Sequence, residues 1–479
     1  MADVELIALR SRRGRLTLAT VTLGSGIALL DGSVVNIALR TIGTDFDAGL
    51  ADLQWVLNGY LLSLASLILV GGALGDRFGR RRTYLIGVAG FGAASALCAF
   101  AQSPDQLVAA RVLQGVTAAL LTPGSLAIIE AAFRHEDRAA AIGTWAGLSG
   151  VATAVGPLVG GFLLEHGGWR WIFAINVPLC LVVLALGRRV PESCDRTDRD
   201  TRFDVAGAAL GVALLGALTF GLTSWRSWPA PAIAGWAALT VVLLASFVVV
   251  ERRPRAMAPA ALFASSVFSA ANLMTFLVYG ALGAVTFLLV LQLQVTSGYG
   301  PLAAGLATLP VTVVMLLFSA RAATVAERTG PRLPMSIGPV VCAAGVVLLA
   351  FVGRDATYLV HVLPGMLLFS AGLTMLVAPL TAAVLGAVPD RHAGVASGIN
   401  NAVARAGSLL AVAALPAAVG LRGQDYRDPV ALTDGFRTGQ LIAAVLLVGG
   451  GIVSWFGLRP GAAVRPDRMS RDARPPGVS

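Results

Sequence analysis

The chain has 479 residues, of which 56% are hydrophobic and 13% charged, with a mean hydropathy of +0.77. No water-soluble surface can be built from that composition, which excludes soluble enzymes and ordinary globular domains. The net charge of +10 comes wholly from 36 arginines, since no lysine occurs, and their placement in loops between apolar runs argues for a membrane rather than nucleic acid.

Backbone polar groups inside lipid must be satisfied within their own segment, so each apolar run of about 20 residues is read as one helix. Fourteen are expected, at 16–39, 52–75, 83–101, 106–129, 139–164, 170–187, 204–224, 230–250, 267–292, 302–326, 333–353, 357–385, 394–420 and 438–457. The first follows Arg10, Arg12, Arg13 and Arg15 and is long enough to span, so it is read as retained rather than cleaved. An even number of spans places both termini on one side. About 26 arginines then fall in the termini and alternate loops (Arg77–Arg82, Arg188–Arg202, Arg252–Arg255, the tail from Arg459), against about 7 in the opposite loops. Positively charged loops stay inside, so both termini are expected in the cytoplasm and the chain in the cell membrane.

The longest loops, around 188–203 and 420–437, leave no room for another domain, so function is sought among the helices. The 55 glycines and 23 prolines lie largely inside the apolar runs, where small residues let helices approach closely. Cys98, Cys180, Cys194 and Cys342 have neither disulfide-framework nor zinc spacing, and the four histidines show no metal spacing. His135, His166 and His392 fall near helix ends, while His361 is expected to be embedded in a structural role. No metal and no cofactor is expected.

An internal repeat follows from two loops. Asp76-Arg77-Phe78-Gly79-Arg80-Arg81 after helix 2 and Glu327-Arg328-Thr329-Gly330-Pro331-Arg332 after helix 10 share acid, arginine, any, glycine, any, arginine. The same offset sets Gly156 of helix 5 against Gly407 of helix 13. Two six-helix halves are implied, with helices 7 and 8 inserted between them. The expected divisions are 1–187, 188–259 and 260–457, then a disordered cytoplasmic tail at 458–479.

Two charges lie well inside spans, where ionisable residues are expensive and mark function. Asp31 sits about 12 Å from the outer end of helix 1, and Arg111 about 8 Å into helix 4 from the same side, at similar depth. Burial favours a neutral acid and a guanidinium favours its carboxylate, so such a group can exchange a proton as pairing or hydration changes. A purely structural ion pair between helices 1 and 4 is the alternative. Asn36, Gln54, Tyr60, Gln114, Tyr279, Gln292, Asn400 and Asn401 could line a central cavity or bond between helices. Asn36, Tyr60, Gln114, Tyr279 and Asn400 are the candidates for the substrate cavity.

The string Gly72-Ala73-Leu74-Gly75-Asp76-Arg77-Phe78-Gly79-Arg80-Arg81-Arg82 resembles the helix 2–3 loop motif of the major facilitator superfamily. Physically, its glycines allow a tight turn, Asp76 can sit at a helix N-terminus, and the arginines can pair with acids at neighbouring helix ends, Glu130 being one candidate. The arginines could equally serve only as topological anchors. The resemblance implies a latch between the halves on the cytoplasmic side, with Asp76 meeting the start of helix 13 near Gly394. Arg111-Val112-Leu113-Gln114-Gly115 is similar to the helix-4 motif to which the family assigns a part in proton coupling. The stretch Leu30 to Leu39 resembles helix 1 of the fourteen-helix drug exporters.

Gly150 with Gly156-Pro157-Leu158-Val159-Gly160-Gly161 resembles the antiporter signature of helix 5, although glycine content alone reads as close packing. Trp169 to Pro178 looks like the start of helix 6 in the same branch, and its tryptophans also suit interfacial anchoring. Weaker matches in helix 13 are Gly394 to Gly398 and Arg405-Ala406-Gly407. No carboxylate falls inside helices 9–14 as drawn, which favours a neutral or singly charged substrate.

The resemblance implies an all-α polytopic protein with a major facilitator fold of six, two and six helices, forming two pseudo-symmetric bundles. The activity implied is proton-driven export of an amphipathic small molecule, such as an antibiotic, by alternating access. A proton-coupled importer is the rival. A membrane enzyme would need a clustered nucleophile, metal ligands or a nucleotide loop, none of which occurs. The working unit is expected to be a monomer whose partners are its substrate, protons and the lipid bilayer, with no nucleic acid.

Overall fold

The structure is a computed structural model that describes residues 6–194, 204–253, 259–389 and 392–458. Fourteen of its helices are long and apolar enough to cross a membrane. They are α1 (Arg12–Asp45), α2 (Leu50–Phe78), α3 (Arg80–Phe100), α4 (Pro104–Ala132), α5 (His135–His166), α6 (Arg170–Gly187), α7 (Val205–Ser227), α8 (Ala230–Glu251), α9 (Ser266–Val295), α10 (Pro301–Thr329), α11 (Arg332–Leu349), α12 (Tyr358–Gly386), α13 (Ala393–Ala418) and α14 (Pro429–Gly457). The described residues form no strand, only an isolated bridge between Ile7 and Phe133. The tail from 459, expected to be cytoplasmic and disordered, lies outside the described residues.

Several helices outrun their apolar cores because local capping, not hydropathy, sets their ends. Ser11 caps α1 by accepting from the Gly14 amide at 2.9 Å, and Ser103 caps α4 ahead of Pro104. Asp428 caps α14, which therefore begins at Pro429 and takes Asp434 and Arg437 into its first turns. The carboxylate-free reading of helices 9–14 thus gives way at two helix ends, since α10, running to Thr329, likewise takes in Glu327. His361 is exposed in a π-helical turn, Tyr358–Val362, that opens α12, so it is not packed among the helices.

Lateral packing gives each half the same order. In the first, α1 packs on α5, α2 on α4 and α3 on α4; in the second, α9 packs on α13 and on α14, and α11 on α12. The loop glycines confirm the repeat in backbone terms: Gly79 and Gly330, at corresponding places, both take positive φ, 108° and 78°. Gly156 of α5 lies against Ser33 and Leu30 of α1, and Gly407 of α13 against Phe276 and Gly280 of α9.

The halves meet through α2 with α13, α5 with α10, and α1 with α9. The end where the chain begins, here called the basic end, carries Arg12, Arg13, Arg81, Arg188 and Arg189 around a recess of about 640 Å³. At the far end the halves are bonded together. Gln54 donates to the carbonyls of Val412 and Ala413 at 2.6 and 3.0 Å, and Gln294 to that of Ile37 at 2.9 Å. Arg40 donates to the Gln294 carbonyl, Arg427 pairs with Asp47 at 2.7 Å, and the Leu50 amide donates to Gly423 at 2.7 Å. At the basic end Gly143, Gly147, Gly150 and Gly394 face open space, and Leu316, Leu317 and Phe318 of α10 are exposed. The molecule is therefore closed at the far end and open at the basic end.

Helices α7 and α8 differ from the rest. α7 packs on both α2 and α13 and so lies over the seam between the halves, while α8 packs on α7. Phe220 and Trp236, ring centroids 5.3 Å apart, fix this pair together, and Trp55 of α2 lies 6.3 Å from Phe220.

Candidate functional site

The register of three helices converges on Asp31. Its carboxylate is buried and accepts from Arg111 at 2.5 Å, Gln114 at 2.8 Å and Asn176 at 2.9 Å. Arg111 and Gln114 lie one turn apart on α4, so one helix face delivers both. Asn176 reaches the site because α6 breaks into Arg170–Ala174 and Asn176–Gly187, placing this residue at the start of the second piece. Ser95 of α3 accepts from Gln114 at 2.9 Å and from Asn176 at 3.3 Å, which orients both amides toward the carboxylate.

Arg111 is as well satisfied as its partner. It donates to the Val56 carbonyl at 3.1 Å and to Gln114 at 2.6 Å, and its guanidinium lies 4.4 Å from the centre of the Tyr60 ring. Only 1% of each of Asp31 and Arg111 is exposed. A buried pair is tolerable when it is well hydrogen-bonded, and here both carboxylate oxygens and the Nε and Nη1 of Arg111 are engaged, while the Asn176 Oδ1 beside them has no partner. What it can do chemically is hold one proton in place of a charge pair. Protonating Asp31 would leave Arg111 without a counter-charge inside the helix bundle, a strongly unfavourable state that rearrangement could relieve.

The other expected cavity residues divide. Gln114 and Tyr60 belong to the Asp31–Arg111 site. Asn400 is drawn into the α9–α13 contact, donating to Asn272 at 3.2 Å and Thr275 at 2.8 Å. Asn36 reaches only the Gly32 carbonyl of its own helix, at 3.5 Å, and Tyr279 is half-buried. Gln54 bonds across the far-end closure, Gln292 bonds to Val352 and Thr433, and Asn401 is exposed.

In the loop between α2 and α3, Gly79 supplies the positive φ that ends one helix and starts the next. Asp76 is in the last turn of α2, not at a helix N-terminus, and pairs with Arg80 at 2.8 Å. The carboxylate at the start of α3 is that of Glu192, which accepts from the Arg81 and Arg82 amides at 3.0 and 3.2 Å and pairs with the Arg81 side chain. Glu130 is exposed and forms none of the ion pairs found among the described residues. Arg77 lies over Phe78, and Gly72 faces Pro123 of α4. Asp76 does not meet α13: a side chain on Gly394 would find open space, because the halves are parted at this end. Glu192 was hidden from sequence reading because it follows a helix distant in the chain.

In α5, which runs unbroken through Pro157, the signature residues face three surroundings. Gly156 and Gly160 admit Ser33 and Val34 of α1, Gly161 admits the Leu302 backbone of α10, and the Pro157 carbonyl meets Gly305. Gly150 faces open space. Among the described residues no cluster of His, Cys, Asp or Glu could hold a metal ion.

Two like bundles, joined at one end and parted at the other around a buried ion pair, are the build of a polytopic membrane transporter of small molecules. The chain belongs to the major facilitator superfamily, whose family model matches residues 21–204 and 201–412. It is 35% identical over 410 residues to the tetracenomycin C resistance and export protein of Streptomyces glaucescens, covering 83% of this chain and 74% of that protein. It is 34% identical over 434 residues to a puromycin resistance protein of Streptomyces alboniger, covering 88% and 86%. It is 32% identical to a multidrug efflux pump of Mycolicibacterium smegmatis, covering 91% and 86%. The fold is shared with a D-xylose-proton symporter (TM-score 0.65, 19% identity, 92% of this chain and 97% of that one). It is also shared with a bacterial homologue of the lysosomal transporter Spinster (TM-score 0.66, 17% identity, 94% and 97%).

Proposed function

We propose that the chain is a proton-driven exporter of an amphipathic small molecule across the cell membrane, working as a monomer with both termini in the cytoplasm. The observation that carries this reading is the sealed Asp31–Arg111 pair, the one mid-depth carboxylate among the described residues, held by three donors from two helices. The names of the relatives, resistance and export proteins, support export over import. The arginine bias supports the orientation, making the basic end cytoplasmic and the present conformation inward-open.

In this cycle residues 1–187 and 260–457 rock about the substrate, while the pair α7 and α8, within 188–259, is accessory. Asp31 takes a proton when the far end opens and releases it inward, Arg111 holds the deprotonated state, and the Asp76–Arg82 loop controls closure at the basic end. Gly156, Gly160 and Gly161 are the close contacts over which α5 moves. The test uses everted vesicles and a compound selected by a resistance screen in a drug-sensitive host. Acidifying the lumen should drive that compound inward, and Asp31→Asn should abolish this at unchanged expression. Movement out of the lumen under the same gradient would establish import instead.

A further inference from the structure

A second arginine lies in the membrane, and it is bound differently. Arg405 stands twelve residues past the start of α13 at Ala393. That is about 18 Å along the helix, near the middle of a bilayer core about 30 Å thick. Such a position is expensive for a guanidinium and marks a ligand or ion path. Arg111, more deeply buried, is held by Asp31, Gln114 and the Val56 carbonyl. Arg405 is half-buried and forms none of the salt bridges found among the described residues. Its side chain donates no hydrogen bond there either.

Its place follows from contacts on either side. Toward the basic end, Gly398 of α13 lies against Leu69 of α2; toward the far end, Gln54 of α2 donates to Val412 and Ala413. The two helices run antiparallel, so midway between these contacts Arg405 stands opposite residues 61–62, beside Tyr60. One turn on, Ser408 donates to the Tyr279 carbonyl at 2.8 Å, which fixes α13 against α9. One turn toward the basic end on the same face, Asn401 is exposed. Arg405 therefore sits on the seam between the halves, beneath the far-end closure and at the head of the opening.

Among the described residues no carboxylate is placed to neutralise it. Asp31 is already occupied, and the described carboxylates of α9–α14, Glu327 and Asp434, lie near the ends of α10 and α14. We propose that Arg405 is the anchor for an anionic group on the cargo, a carboxylate, sulfonate or phenolate carried on an aromatic body that lies against the half-buried Tyr279. This rests on the export reading and deepens it: the cargo is an acidic amphiphile, and a cationic one is repelled. The cation needs an anion only the substrate brings, and Tyr60, buried against Arg111, stands between the cargo site and the proposed proton site.

The test is binding to the full-length protein in nanodiscs, with two probes of the same ring system. One is 8-anilinonaphthalene-1-sulfonate, the other N-phenyl-1-naphthylamine, which lacks the sulfonate. Arg405→Gln should weaken sulfonate binding by about tenfold or more, Arg405→Lys by far less, and neither should change binding of the amine. Equal binding of the sulfonate by wild type and Arg405→Gln overturns the proposal. So does an equal loss of both probes, which would mark a packing role. Chloride should compete with the sulfonate probe; an Arg405-dependent chloride effect with unchanged sulfonate affinity would make this a small-ion site only and also overturn it. Gradient-driven uptake is measured separately in everted vesicles. Its absence alongside Arg405-dependent sulfonate binding would defeat the export reading and leave the anion site standing.

Discussion

The two six-helix halves repeat one backbone plan and carry opposite chemistry. Gly79 and Gly330 make the same positive-φ break, and Gly156 and Gly407 make the same close approach to the first helix of their half. Yet at the common offset of 251 (327 minus 76, and 407 minus 156), Asp31 falls on Leu282 and Arg111 on Val362. The first half holds a charge pair sealed by Gln114, Asn176 and Ser95; the second holds amide and hydroxyl contacts such as Asn400 to Thr275, and the uncompensated Arg405. Glycine contacts are needed by the fold and so recur in both halves. The charges are not, and their asymmetry separates the proposed proton site from the proposed cargo site.

The comparison breaks most readily at the charge pair. Asp31→Asn is expected to remove all gradient-driven transport, whereas Asn400→Ala in the second half should leave it within a few-fold, since that amide only joins α9 to α13; vesicle transport at matched expression measures both. If the two variants fail alike, the division of labour between the halves is wrong. Next in size is Arg111→Ala, which strands a buried carboxylate and should lower stability by about 3–5 kcal/mol, read as a drop in unfolding temperature of purified protein. Asp31→Asn combined with Arg111→Gln should recover much of that stability and none of the coupling.

A smaller effect tests the repeated loops. Gly79→Ala and Gly330→Ala each place a side chain at positive φ with extended ψ, at about 1–3 kcal/mol. The first should be the worse, because its new carbon would crowd Glu192 while the second meets open space. Equal unfolding temperatures for the two would count against Glu192 as the cap of α3. Smallest of all is Gly150→Ala, which should not move the unfolding temperature, because nothing lies within 4 Å of the added carbon in this conformation. A slower transport rate in that variant would show that α5 is packed at Gly150 in the other state of the cycle.

Much of this was legible before any coordinates. Asp31 and Arg111 could be placed at the same depth by counting residues along two helices of opposite direction, and the structure brings them to 2.5 Å. Arg405 was equally countable, being the centre of its apolar run, and the signal was simply its depth. Asn176, Ser95 and Glu192 were not legible, because each acts from a helix or loop whose neighbours are set by packing across the chain. The expected pairing of Glu130 with the arginines and the contact of Asp76 with α13 failed to form for related reasons. Glu192 takes the start of α3, and the halves are apart at the basic end.

By itself the sequence determined the number of spans, the repeat and the depths of Asp31 and Arg111. Those depend on the cost of exposing backbone and charge to lipid, which acts segment by segment along the chain. Only the tertiary structure decided which helices are neighbours, that α7 covers the seam between α2 and α13, and which end is closed. Lipid is as apolar as leucine, so hydropathy does not tell a helix which side to bury. That choice is made by small-residue contacts, interhelical hydrogen bonds and the few charges that must find each other.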